Sequence, residues 1–181
     1  MPANNSVKRA LSLIKQDSSK VLGLQVGSHT NVEPGQYIGR ADAQSSPQLS
    51  FHGLSPGKTY MVVGLDIDAP FPSFSVLGPI LHWVQSGLQP IPSESDPSTF
   101  TLSATEPFVA NYIGPAPPPG SSPHRYIFIL YEEPPAFKVE KYAPPNGQKL
   151  GNMHRMRYDL DAWEKKIGLK SILAANYFTS N

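Results

Sequence analysis

Carboxylate and imidazole side chains occur in three separated segments, each beside a rigid turn. The segments are Asp66-Ile67-Asp68-Ala69-Pro70, Leu81-His82-Trp83, and the Pro-rich stretch 114–123 followed by His124-Arg125-Tyr126. A proline-rich loop costs little entropy to order, because each proline already has its φ angle fixed. A carboxylate beside an imidazole favours the protonated ring, which donates strongly to a phosphate or carboxylate. The sequence therefore predicts an anion pocket.

Simpler structural roles compete with this interpretation at each position. Asp66 and Asp68 share one side of an extended strand end, because side chains repeat every two residues. Two carboxylates rarely both face a dry pocket, so one of them is expected to brace the following turn. His82 lies inside an apolar strand and could be a satisfied core residue, whereas His124 after a proline could be exposed.

Other site chemistries fit these residues less well. The stretch 114–123 lacks the Gly-Lys-Ser/Thr ending of a phosphate loop, and its prolines have no N–H, which favours one small oxyanion over a polyphosphate. His82 and His124 with Asp66 could form a two-His-one-carboxylate metal site, but they show no known local spacing. No Gly-x-Ser-x-Gly occurs, which argues against a Ser-His-Asp hydrolase. We expect no metal and no cofactor.

Composition limits the class of protein. Lys and Arg total 15 against 14 Asp and Glu, so a net charge of +1 favours neither nucleic acid nor an acidic membrane surface. Cysteine is absent, which excludes disulfides and thiol catalysis. No apolar stretch approaches the ~20 residues of a membrane span, and the N-terminus lacks a signal-peptide core, so a cytoplasmic location is expected. The length of 181 residues fits a single domain, which is expected at 21–181 after a helical arm at 1–20.

Short strands are expected to position the candidate groups. Strands are predicted near 22–26 and 48–51, and at 59–65, 80–85, 125–131 and 172–178, with loops at 69–79, 90–97 and 114–123. The strands at 59–65, 80–85 and 125–131 should form the core sheet. The 20 prolines and 14 glycines suit many turns between short strands.

A helix is predicted near each end of the chain. The first runs from about Ser6 to Gln16, with Ser6 as a possible cap, and either packs on the body or forms an arm that docks on a partner. The second runs from Leu160 to about Ile167, between an Asp159 N-cap and a stop at Gly168. Short strands with two terminal helices indicate a mainly β or α+β domain with Greek-key-like connections.

Taken in order, these segments resemble the phosphatidylethanolamine-binding protein family, from about residue 48 to 178. The matching motifs are Asp66-Ile67-Asp68-Ala69-Pro70, Leu81-His82-Trp83, Tyr112-Ile113-Gly114-Pro115 with Pro117-Pro118-Pro119-Gly120, His124-Arg125-Tyr126, Arg155-x-x-Tyr158 and Ala174-Ala175-Asn176-Tyr177-Phe178. The resemblance implies a central antiparallel sheet, a second smaller sheet and peripheral helices.

The resemblance also implies a small anion pocket. The groups expected to do chemistry in it are Asp66, His82, His124 and Tyr126. The further residues expected to bind ligand or shape the rim are Asp68, Pro70, Trp83, Tyr112, Gly114, Pro118 and Arg125. Such pockets take phosphate, acetate or a phosphoethanolamine head group, and many members of the family act by binding protein partners.

Three departures from the family pattern concern the pocket mouth. Ile67 replaces the first proline of its motif, and residues 71–79 replace a polar, basic stretch with aromatic and aliphatic side chains. The sequence ends three residues after Phe178, without the C-terminal helix that borders the pocket in animal members. These departures predict a wider and more apolar mouth.

Three functions are consistent with the resemblance. The first is a module that binds a small oxyanion, carboxylate or phospholipid head group and regulates a partner protein. The second is an enzyme, either an isomerase or a lyase-type cyclase or dimerase. Some fungal members of the family accompany polyketide clusters that make maleidrides and are implicated in dimerising anhydride monomers. An Asp–His pair could transfer the proton in such a reaction. The third is a serine carboxypeptidase inhibitor. The expected partners are a small anionic or carboxylated ligand and a protease or biosynthetic enzyme.

Overall fold

The computed structural model describes residues 4–74, 76–93, 96 and 98–181. Its strands are β1 Gly23–Gln25, β2 Gln48–His52, β3 Tyr60–Asp66, β4 Ile80–Pro92, β5 Thr99–Ala104, β6 Phe108–Ala110, β7 His124–Glu132 and β8 Ile172–Ser180. Its α-helices are α1 Asn5–Gln16 and α2 Leu160–Ile167, and short 3-10 turns lie at Ser18–Lys20, Val139–Lys141, Pro145–Gly147 and Asn152–His154. None of the described helices is long and apolar enough to cross a bilayer.

The named strands pair antiparallel in one connected sheet. Its order is β1-β2-β5-β4-β3-β7-β8, with β6 beside β4. The first part of β4 pairs with β3, and its last part, from Leu88 to Pro92, pairs with β5. Gly87, at φ 63°, precedes this change of partner. The mainly β fold is confirmed, and the smaller sheet is formed by β1, β2, β5 and the end of β4, continuous with the larger one.

Two hydrophobic cores lie on opposite faces of the central strands. Side chains of β3 and β7 alternate between the faces, as the two-residue repeat of a strand requires. Tyr60, Val62, Tyr126, Phe128 and Leu130 face the smaller sheet. Met61, Val63, Leu65, Ile127 and Ile129 face the helices. Because both faces are covered, β3 is buried along its whole length.

Two features of the strands differ from the prediction. β5 and β6 were not predicted, because β5 is half-exposed and rich in Ser and Thr, which weakens its apolar alternation. The loop predicted at 90–97 begins later, because Pro90 and Pro92 belong to β4 and pair with Leu102 and Phe100. Proline is tolerated on a strand whose N–H groups face away from the ladder. Residues 94, 95 and 97 of that loop lie outside the described residues.

Helix α2 begins and ends as predicted, but α1 is capped differently. The Asp159 carboxylate accepts from the Ala162 N–H at 2.9 Å, and Gly168 ends α2 at φ 76°. Ser6 does not cap α1, because the helix begins at Asn5 and Ser6 lies inside it. The Asp161 carboxylate of α2 instead accepts from the N–H groups of Asn5 (3.0 Å) and Ser6 (2.8 Å) and from the Ser6 hydroxyl.

Helix α1 is therefore held against the body at its N-terminal end. Val7 and Ala10 are buried in the core between the sheet and the helices. Arg9 donates to the Glu164 carboxylate at 2.6 Å, and the Tyr131 hydroxyl donates to the same carboxylate at 2.7 Å. Side chains of α1, α2 and β7 thus meet at one buried acid.

Replacing Asp161 by Ala should destabilise the fold by ~1–2 kcal/mol, because the variant loses a cap that satisfies two helix N–H groups. Urea unfolding measures this change. Lys8→Ala is the control, since Lys8 is exposed on α1 and should change stability by less than ~0.5 kcal/mol. Equal effects of the two substitutions would contradict the capping role of Asp161.

Candidate functional site

Neighbouring strands and a β-bulge bring the acid and the imidazoles together. Asp66, the last residue of β3, pairs with Tyr126 of β7 and Ile80 of β4. In the β3–β4 ladder Gly64 pairs with Trp83 but Leu65 pairs with Leu81, which leaves His82 as an extra residue. A bulge of this kind re-aims a side chain at the end of a sheet.

A cavity of about 280 Å³ opens at this end of the sheet. Its wall contains six of the residues singled out from the sequence: Asp66, Pro70, His82, Gly114, Pro118 and His124. The remaining lining residues are mostly apolar: Ala69, Leu77, Ile80, Ile113, Ala116, Pro117, Asn152, Arg155 and Met156. Polar groups thus converge in a pocket whose surface is mainly apolar, as is typical of small-molecule sites.

Asp66 and His124 form a buried pair in the wall of this cavity. His124 Nδ1 donates to Asp66 Oδ2 at 2.8 Å, and the two side chains are 1% and 5% exposed. Asp66 Oδ1 accepts from the Asp68 N–H at 2.9 Å. Burial opposes protonation of His124, but the hydrogen bond and charge of Asp66 outweigh it and raise the pKa of the imidazole.

Ser121 extends the pair into a chain that the sequence did not reveal. His124 Nε2 lies 2.9 Å from Ser121 Oγ, and the Ser121 hydroxyl donates to the carbonyl of Ser122 at 2.9 Å. Asp, His and Ser are therefore in hydrogen-bonded order without a Gly-x-Ser-x-Gly motif. The protonated His124 has no lone pair to accept the serine proton, so the chain holds the imidazolium rather than activating the serine.

His82 is poised as a neutral imidazole. Its Nδ1 lies 2.7 Å from the carbonyl oxygen of Ile113, an acceptor that requires the proton on Nδ1. Burial lowers the pKa of His82, against the opposing charge of Asp66. The lone pair of Nε2 is therefore available to a group in the cavity.

Tyr126 lies behind the cavity rather than in its wall. Its ring packs edge-on against His82 (centroids 5.0 Å apart) and is stacked on Phe178 (5.4 Å). The buried hydroxyl has no partner in hydrogen-bonding geometry among the described residues. Burial and the charge of Asp66 raise the pKa of Tyr126, so the phenol stays protonated.

Asp68 and Arg125 pair with each other outside the cavity wall. The Asp68 carboxylate accepts from Arg125 Nε (2.8 Å), Nη2 (2.6 Å) and the backbone N–H (2.9 Å). Burial would raise the pKa of Asp68, but the hydrogen bonds from Arg125 outweigh it and lower the pKa. Asp68 thus braces the turn, as the sequence suggested for one of the two aspartates. Its carboxylate is paired with the Arg125 guanidinium.

Trp83 and Tyr112 also lie outside the cavity wall. Their rings meet edge-on, 6.1 Å apart, in the core next to the smaller sheet. The Tyr112 hydroxyl donates to the carbonyl of Ala43 at 2.8 Å. Both side chains therefore support the segment that carries Ile113 and Gly114.

Gly114 lines the cavity where the chain passes close to the segment at 43–44. A Cβ on Gly114 would lie 2.6 Å from Gln44 Oε1 and 2.9 Å from the Ala43 carbonyl oxygen. Contacts this short force the backbone to move, so Gly114→Ala should destabilise the fold by ~1–3 kcal/mol in urea unfolding. Gly151→Ala is the matched control, because its nearest contact is 3.9 Å away and it should have little effect.

Arg155 and the apolar cavity residues Leu77, Ile80 and Met156 were not among the predicted site residues. Arg155 appeared in the sequence within a motif, but nothing in that motif indicates a buried guanidinium. The structure places Arg155 beside β4, since the Leu81 N–H donates to its carbonyl oxygen at 2.8 Å. Leu77 comes from the apolar stretch expected at the mouth, and it lines the cavity.

The described residues contain no group of three or more His, Cys, Asp or Glu placed to hold a metal ion. Both ring nitrogens of His124 already face Asp66 and Ser121, and Nδ1 of His82 faces Ile113. These contacts leave Nε2 of His82 as the imidazole nitrogen open to the cavity.

The chain matches a known protein family over most of its length. The model of the phosphatidylethanolamine-binding protein family matches residues 28–178. The chain belongs to this family. The resemblance seen in the sequence is confirmed, and the family match extends about 20 residues further towards the N-terminus than the motifs did.

Two curated relatives cover most of the chain. Phomoidride biosynthesis cluster protein N of Talaromyces stipitatus is 30% identical over 172 residues, which is 87% of this chain and 82% of the relative. The carboxypeptidase Y inhibitor of Saccharomyces cerevisiae is 25% identical over 186 residues, covering 88% and 83%.

Solved structures share the fold. The carboxypeptidase Y inhibitor, in complex with its cognate proteinase, superposes with a TM-score of 0.73 at 23% identity and covers 98% of this chain and 93% of that one. A phosphatidylethanolamine-binding protein from Plasmodium vivax gives a TM-score of 0.65 at 19% identity, with 97% and 94% covered. At these identities the likeness concerns the fold.

Proposed function

We propose that this member of the phosphatidylethanolamine-binding protein family binds an apolar small molecule through a carboxylate or similar oxyanion in the cavity. The observation that supports this proposal is the mixed lining of the cavity. The buried Asp66–His124 pair and neutral His82 share the wall with the apolar side chains of Leu77, Ile80 and Met156.

The surface beside the mouth favours an apolar ligand over a free phosphate. Phe71 is 38% exposed, Phe74 63% and Leu77 36%, and all three lie on the segment that replaces the polar stretch of the family pattern. Arg157, which follows the 3-10 turn at Asn152–His154, holds this segment in place, because its N–H donates to the Leu77 carbonyl at 3.0 Å. Apolar surface next to an open cavity can cover the hydrocarbon part of a bound acid.

Calorimetry with three probes tests this function. Hexanoate should bind ~10-fold or more tightly than acetate, since its additional methylene groups are buried at ~0.8 kcal/mol each at most. It should also bind more tightly than phosphoethanolamine, which has no apolar chain. Stronger binding of phosphoethanolamine than of hexanoate would contradict the proposal and favour a head-group module.

Catalysis of a proton transfer is a second candidate, favoured by the relative from a biosynthetic cluster and by the free Nε2 of His82. On an unsaturated anhydride or diacid, Nε2 would take a proton from the carbon next to the double bond. The electron pair left there would form a carbon–carbon bond to the double bond of a second molecule. The resulting carbanion would recover the proton from His82, so two monomers give one dimer without an oxidant or reductant.

Carboxypeptidase inhibition is a third candidate, which the yeast relative favours. Helix α1 packs on the body here, so its exposed face rather than a free arm would contact a proteinase. Carboxypeptidase Y assayed with the full chain and with a chain lacking residues 1–16 tests this. Inhibition retained after the deletion would exclude α1 as the contacting element.

A further inference from the structure

Arg155 lines the cavity, and its side chain is buried, with the residue 1% exposed. Nε donates to the Leu150 carbonyl and Nη1 to the carbonyls of Leu81 and Asn111, each at 3.1 Å, and Nη2 donates to Asn111 Oδ1 at 2.7 Å. Arginine carries one N–H on Nε and two on each Nη. One Nη2 N–H therefore has no partner among the described residues.

The charge of Arg155 is also uncompensated. None of the ion pairs among the described residues includes it. The carbonyl and amide oxygens around it satisfy N–H groups but carry no net charge, and burial lowers the pKa of the guanidinium. Burying a charged guanidinium costs more free energy than burying a neutral donor that makes the same hydrogen bonds. A bound anion would offset this cost.

The other titratable groups in the wall do not supply a free positive charge. Asp66 neutralises His124, and both ring nitrogens of His124 are engaged. His82 is neutral and offers a lone pair. Among the described residues that line the cavity, Arg155 is thus the cation that retains both its charge and an N–H to donate.

We propose that Arg155 holds the anionic group of the ligand and that this group is a single carboxylate. This inference rests on the proposed binding function and names the residue that recognises the acid. Arg155 and His124 against Asp66 leave one net positive charge in the wall, which matches one carboxylate rather than a phosphate dianion. The free Nη2 N–H donates to a carboxylate oxygen, and the hydrocarbon chain lies along Leu77 and Met156.

Calorimetry with hexanoate and its neutral analogue hexanamide tests the assignment at neutral pH. The unaltered protein should prefer hexanoate by ~10-fold or more, as a charge-assisted hydrogen bond in a buried site predicts. In Arg155→Gln this preference should disappear while hexanamide binding changes little. Arg40→Gln is the control, because Arg40 is an exposed arginine that does not line the cavity.

A measurement on the unaltered protein guards against misfolding of Arg155→Gln. In a ¹⁵N NMR spectrum, saturating hexanoate should shift the Arg155 Nε–H resonance and leave that of Arg125 in place. If the preference for hexanoate survives in a folded Arg155→Gln, or if the Arg155 resonance does not move, another group holds the anion and the inference is wrong. If the unaltered protein binds neither probe, the proposed function itself fails.

Discussion

Asp66→Asn should lower the stability of the protein by ~1.5–3 kcal/mol at about pH 6, the scale of a hydrogen bond to a charged group. The amide keeps the shape of the carboxylate but not its charge. His124 is buried and depends on that charge to stay protonated. Without the carboxylate, burial dominates and the imidazole becomes neutral.

The same substitution should reverse the sign of the contribution that His124 makes to the pH dependence of stability. The pKa of His124 is raised in the folded protein, so its stabilising contribution is complete below the unfolded value of ~6.5 and is lost as pH rises through the folded value. In Asp66→Asn the folded pKa should fall below the unfolded value. That variant should therefore lose stability as pH falls, the reverse of the contribution in the unaltered protein.

Urea unfolding at about pH 6 and about pH 9, with an NMR titration of His124, measures both effects. Asp42→Asn is the matched control, because the His29–Asp42 pair is partly exposed, at 33% and 50%, and 3.3 Å apart. Removing an exposed pair should cost less than ~1 kcal/mol. An unchanged pH slope in Asp66→Asn would show that another group sets the protonation of His124.

His82→Asn should abolish proton exchange on a bound unsaturated acid, lowering its rate by ~10²–10⁴-fold if His82 is the base. The asparagine amide can replace Nδ1–H as donor to the Ile113 carbonyl. The substitution therefore removes mainly the Nε2 lone pair from the site. The measured quantity is incorporation of deuterium from D₂O into 2-butylmaleate. Because burial lowers the pKa of His82, the unaltered protein should keep its rate across neutral pH and lose it only at acid pH.

His154→Gln is the control for this experiment, because His154 is exposed in the 3-10 turn beside the mouth. It should leave the exchange rate unchanged. Exchange that is absent in the unaltered protein, although hexanoate binds, would reject the catalytic candidate and leave the binding function in place. Exchange retained in His82→Asn would assign the base to another group.

Much of the fold could be predicted because its signals are local. The apolar run before Asp66 and the Arg125 strand predicted β3 and β7, and an Asp and a Gly at the right spacing predicted both ends of α2. β5 could not be predicted, because half-exposed polar strands have no clear hydrophobic periodicity. The sequence suggests Ser6 as a cap of α1, because it cannot show that an acid from another helix accepts from the first N–H groups of α1.

The sequence was enough to predict Asp66, His82 and His124 as candidate groups and to predict the strands that bear them, since motif and periodicity depend on near neighbours along the chain. Tertiary structure decided the state of each group. A bulge aims His82 at the cavity. Ser121 and Asp66 contact the two ring nitrogens of His124, and Arg155 is buried without a counter-charge among the described residues. These outcomes depend on burial and on contacts such as that between Asp66 and His124, which are distant in sequence, because desolvation and charge at short range set the protonation of a group.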